Sequence, residues 1–147
     1  MESSDLDRPI LHWGAFLWAL IAPLILWGVM MAAPLLAGQP GVVCLTPAAW
    51  LLAFWSGGAY IRFSDGRPGR WPLLGPALVG AGLGLCQGLA FVLITSLALP
   101  PGSDPGEATK AIILDAIVVL AGLLVCAVFS IMTAWLTLRR MANQSWQ

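Results

Sequence analysis

The polar residues of this chain fall almost entirely between four long apolar runs. The runs are Trp13–Ala37, roughly Val42–Phe63, Pro72–Leu99 and Ala111–Leu138. A helix needs about 20 mostly apolar residues to cross the hydrocarbon of a bilayer, and each run reaches that length. The runs are too long and uninterrupted for barrel strands, and backbone groups in lipid must find their partners within the segment. The pattern predicts an all-α integral membrane protein. It is a single domain over residues 1–147, with four transmembrane helices in an antiparallel bundle.

Local signals place the helix ends. Thr46-Pro47 reads as an N-cap followed by proline at the first helical position. Asp104-Pro-Gly-Glu107 resembles a capping box, so the fourth helix can start ahead of Ala111. Pro23 lies inside the first run and predicts a kink there. At 25 residues, that run exceeds the about 7–15 of a signal-peptide core, and the segment before it is acidic. It is expected to be a retained transmembrane helix. The connecting segments are short, and none is large enough to fold separately.

Helices in lipid associate by close packing, so small residues mark their contact faces. In the third run Gly80, Gly84 and Gly88 recur every fourth residue, with Ala77, Gln87 and Thr95 on the same side. In the fourth run Asp115, Gly122, Cys126, Ser130, Thr133 and Thr137 share one face. Ile113, Leu120, Leu124, Ile131 and Trp135 take the opposite side and suit lipid or a partner. A short connection makes the two helices neighbours. Matching Leu99 to Ala111 pairs Gly88 with Gly122, Gly84 with Cys126, Gly80 with Ser130 and Thr95 with Asp115. Weaker stripes run along the first two helices, at Ala15/Ala19/Ala22 and Ala49/Ala53/Ser56/Tyr60. The glycine ridge is read first as packing within one chain and second as a homo-oligomer contact.

Composition narrows the class. Only 10% of residues are charged, against about 25% in soluble domains, as a lipid-facing surface requires. The formal net charge of zero gives no reason to expect a nucleic-acid partner. The distribution of charge is more informative than its sum. With the N-terminus inside, Arg8, Arg62, Arg67, Arg70, Arg139 and Arg140 are cytoplasmic and only Lys110 is outside. That split predicts N-in and C-in. Trp13, Tyr60, Trp71 and Trp135 then fall near the cytoplasmic interface, and Trp50 near the outer one. The turn bearing Arg62, Arg67 and Arg70 sets topology and could attract anionic headgroups.

Candidate chemistry is sparse. Asp115 is the acidic residue within a run, about 6 Å below Ala111 at 1.5 Å per residue. At that depth it reads as a structural carboxylate that reaches the outer interface or bonds Thr95. The alternative is a coupling or pore residue. Gln87 lies mid-span and needs a partner, expected to be backbone or a hydroxyl such as that of Ser130. Cys44, Cys86 and Cys126 are far apart and His12 is alone, so no zinc pattern, paired haem ligands or disulfide framework emerges. No nucleophile–base pair, HExxH or P-loop occurs, and neither catalytic residues nor a cofactor or metal is expected. The sequence thus points to a non-catalytic accessory or scaffold subunit of a larger membrane complex in a bacterial inner membrane. Its partners would be the lipid bilayer and other integral-membrane subunits or itself. The alternative is a small oligomeric transporter or channel that uses Asp115.

Overall fold

The structure, a computed structural model, describes residues 10–36, 46–65, 69, 71–98 and 105–144, without the side chains of residues 31, 33–36, 46–49, 94–98, 105 and 107. The fold is all-α. Four helices follow in chain order: α1 (Trp13–Leu36), α2 (Thr46–Phe63), α3 (Leu74–Ala98) and α4 (Pro105–Gln144). Three of them, α1, α3 and α4, are long and apolar enough to cross a membrane. At 18 residues α2 is the shortest, and it carries Ser56, Gly57, Gly58 and Arg62.

The helix ends have local causes. α2 stops where Asp65 enters the left-handed region at φ 52°. Aspartate tolerates that conformation better than most residues. There the Ser64 amide donates to the Tyr60 carbonyl at 3.0 Å and the Asp65 amide to that of Arg62 at 3.1 Å, satisfying carbonyls at the helix end. The Leu74 amide donates to the Trp71 carbonyl at 3.1 Å and opens α3. α1 is helical through Pro23, whose ring is fully buried.

α4 contains the expected span Ala111–Leu138 and starts ahead of it, as the Asp104-Pro-Gly-Glu107 signal allows. It has 40 residues and extends past both ends, from Pro105 to Gln144. Proline is well placed in a first helical turn, where its missing N–H costs nothing. Beyond Leu138 the sequence Arg-Arg-Met-Ala-Asn-Gln contains no glycine or proline to stop the helix. At 1.5 Å per residue α4 is about 60 Å long, roughly twice the thickness of a hydrocarbon core.

α2 and α3 each pack against the other three helices, whereas α1 and α4 barely meet; the most extensive contact joins α3 and α4. The buried set is small-sided: Ala15, Ala19, Ala53, Ala59, Cys126 and Ala134, with Tyr60, Ile61, Val79 and Leu83 as the larger members. The large side chains point outward, among them Trp18, Ile25, Val29, Leu93, Ile112, Ile117, Leu120 and Leu124. A soluble core has the opposite distribution, because water drives large apolar groups inward. When the surroundings are themselves apolar, close backbone approach governs what is buried.

Tyr60, on the expected small-residue stripe of α2, is wholly buried. Its hydroxyl accepts the His12 backbone N–H at 3.3 Å. Its ring lies so close to Gly75 that a Cβ there would fall 2.5 Å from Cε1. Trp50 is half-buried against the core, and its indole N–H has no hydrogen-bond partner among the described residues. Trp13, Trp71 and Trp135 are exposed, and the Arg139 guanidinium lies 5.5 Å from the Trp135 ring centre.

Candidate functional site

The residues singled out by sequence converge on the faces that α2 and α3 turn towards α4. On α3, a Cβ at Gly80 would meet the Cys126 carbonyl and lie 2.8 Å from Ala127 Cα. At Gly84 it would meet the Gly122 carbonyl and lie 2.6 Å from Leu123 Cα. At Gly88 it would lie 2.8 Å from Val119 Cα. These are contacts between backbones, which only a residue without a side chain allows. Residue numbers rise along α3 as they fall along α4, so the pair runs in opposite directions.

The register differs from the sequence expectation by one helical turn. Gly84 faces Gly122 where Cys126 was expected, and Gly80 faces Cys126 where Ser130 was expected. The cause is the earlier start of α4 at Pro105, which turns the chain back sooner than a helix beginning at Ala111. The same offset carries the half-buried Asp115 to the level of Phe91 and Val92 rather than Thr95. The Thr95 side chain lies outside the described residues.

The inward half of the α4 stripe is covered by α2. A Cβ at Gly57 would meet the Ser130 carbonyl and sit 2.7 Å from the Thr133 hydroxyl oxygen. At Gly58 it would sit 3.2 Å from the Thr137 hydroxyl oxygen. Here residue numbers rise together along the two helices. Gly57 and Gly58 were not among the expected contact residues, although Ala53-x-x-x-Gly57 carries the same four-residue spacing of small residues as the ridge on α3.

Buried polar groups along this seam mostly bond within their own helix. Thr133 donates to the Phe129 carbonyl at 2.9 Å or the Ser130 carbonyl at 3.1 Å, Thr137 to that of Thr133 at 2.8 Å, and Ser56 to that of Ala53 at 2.8 Å. This is how hydroxyls are accommodated in apolar surroundings. Gln87 is buried, and its Oε1 accepts a weak hydrogen bond from the Cys126 thiol at 3.9 Å. Cys126 thus takes the place expected of Ser130. The Ser130 hydroxyl is fully buried and has no partner among the described residues.

The remaining candidates sit at the periphery. Arg62 is exposed in the last turn of α2, while Arg67 and Arg70 lie outside the described residues. Cys44 does so too. His12 is half-buried at the entrance to α1. Among the described residues no three His, Cys, Asp or Glu side chains gather as metal ligands would. What this arrangement accomplishes is close helix contact: α4 serves as a spine against which α3 and α2 lay their glycines. Compared with protein-family models, curated proteins and solved structures, the chain matches none, so its function must be argued from this geometry.

Proposed function

We propose that the chain is a non-catalytic accessory or scaffold subunit of a larger integral-membrane complex, and that its partner docks on α1. In this reading all four helices span a bacterial inner membrane as an antiparallel bundle, with both termini cytoplasmic. At 18 residues α2 rises about 27 Å, close to the thickness of a hydrocarbon core. The six-to-one division of cationic residues supports the orientation.

One observation carries the partner. Gly14, Trp18, Ile21, Ile25, Gly28 and Ala32 follow steps of four and three along α1, and all six are exposed. Such spacing is the seam of a left-handed helix pair. Gly14 and Gly28 have nothing within 4 Å of where a Cβ would be. Lipid gains nothing from a glycine, whereas another helix gains close approach. The small residues of α3 and α4 are already used within the chain, so α1 offers the free seam.

Two measurements test the reading. In native mass spectra of the gently solubilised protein, a different chain should accompany it. Gly28→Leu should lose that chain while its own unfolding midpoint stays at the wild-type value. A wild-type homo-oligomer with no other chain would overturn the subunit reading in favour of the oligomeric transporter. For orientation, a reporter active only outside the cytoplasm, fused after Gln147, should be silent. Strong activity would reverse the topology.

A further inference from the structure

A groove of about 410 Å³ opens between α2 and α4 near the end of α2. Arg62 and Arg140 both line it. Among the described residues neither guanidinium takes part in an ion pair. Thr133 and Thr137 also border it, but their protons go to carbonyls of their own helix. The cationic donors left for a bound group are the two guanidiniums, beside the exposed Trp55 indole. Arg139, the next residue, lies against Trp135 and is not among the lining residues.

The groove is not merely a basic surface. Phe54 belongs both to it and to a second, almost wholly apolar trough of about 370 Å³ formed with Trp50, Leu51 and Phe129. The Phe54 and Phe129 rings meet edge to face, with centroids 6.4 Å apart, and form its floor between the helices. From Trp50 to Arg62 the path rises about 18 Å along α2, at 1.5 Å per residue. One end of the path is cationic and the rest is apolar and aromatic.

We infer that this path is a binding site for one anionic phospholipid, its phosphate held by Arg62 and Arg140 and an acyl chain lying along Phe54, Phe129 and Trp50. Charge complementarity selects the headgroup: guanidinium forks match phosphate oxygens, and two cations at one mouth disfavour a zwitterion's ammonium. The apolar trough selects an amphiphile over a free anion. The site rests on the membrane reading, since the arginine end must lie at the cytoplasmic headgroup level, where anionic lipid is present. It does not depend on the α1 partner.

The test is a lipid titration of the full chain in detergent, followed by native mass spectrometry. Dioleoyl phosphatidylglycerol should bind at least about tenfold more tightly than dioleoyl phosphatidylcholine. R62Q/R140Q should abolish that preference, and R139Q should keep it. If the double variant expresses poorly, R62Q and R140Q separately should each lose part of it. A dihexanoyl phosphatidylglycerol should bind more weakly than the dioleoyl lipid. Equal binding of the two dioleoyl lipids, or a preference that survives R62Q/R140Q, would overturn the site. So would inorganic phosphate displacing the lipid at equal concentration, which would mark a free-anion site. Failure of the membrane reading is seen separately, as wild-type protein that stays soluble without detergent after lysis.

Discussion

Gly84→Leu is expected to destabilise the chain by about 3 kcal/mol, at the upper end of the usual overpacking range. The new side chain would start 2.6 Å from Leu123 Cα and on top of the Gly122 carbonyl. Both are backbone, so no neighbouring rotamer can turn away, and the helices must separate. Separation would also loosen the contacts of Gly80 and Gly88 along the same ridge. Even Gly84→Ala should cost about 1–3 kcal/mol, because its Cβ alone meets the obstruction. Gly57→Leu should behave like Gly84→Leu, since its Cβ would meet the Ser130 carbonyl. Gly14→Ala is the control. It meets nothing within 4 Å and should gain about 0.5–1 kcal/mol of helix propensity. Unfolding midpoints in mixed detergent–SDS micelles would measure the series. A Gly84→Leu protein with the wild-type midpoint would mean that α3 and α4 do not touch at this level.

That series also shows where the sequence was informative. Small residues on α3 and α4 stand out because their neighbours at other helical phases are leucine, isoleucine and valine. Gly80, Gly84, Gly88, Gly122 and Cys126 could therefore be assigned to a face by period alone. Period fixes the face and says nothing of the level at which two faces meet. Level depends on where the chain turns, and α4 begins at Pro105, six residues ahead of Ala111. Gln87, expected to bond backbone or a Ser130-type hydroxyl, is found beside Cys126.

α2 was harder for a different reason. Buried by three neighbours, it has small or buried positions on several sides, including Ala53, Ser56, Gly57, Ala59 and Tyr60. The stripe read along it, Ala49/Ala53/Ser56/Tyr60, therefore leaves out Gly57 and Ala59, which are buried on other faces. The groove at Arg62 and Arg140 was illegible for a related reason. Its two cations are 78 positions apart and come together only once α2 and α4 pack.

Tyr60→Ala is expected to cost about 3–5 kcal/mol, the range for removing a large buried ring. Tyr60 is the largest fully buried side chain among the described residues. It sits where three helices meet: near the end of α2, against Gly75 in the first turn of α3, and beneath His12 at the entrance to α1. The first amides of a helix lack intrahelical acceptors, and the Tyr60 hydroxyl supplies one for His12. Tyr60→Phe separates the two contributions. It keeps the ring and loses the hydroxyl's 3.3 Å bond from the His12 amide, and should cost about 0.5–1.5 kcal/mol, well below the cost of Tyr60→Ala. Its signature should be local, with faster amide exchange at His12 and an unchanged global midpoint to within that amount. Gly75 offers a second check, because a Cβ there collides with the Tyr60 ring. Gly75→Ala should be damaging in the wild type and nearly harmless beside Tyr60→Ala, a non-additivity diagnostic of direct contact. Additive costs in the double variant, or a Tyr60→Phe protein as unstable as Tyr60→Ala, would show that the ring does not hold these three helix ends together.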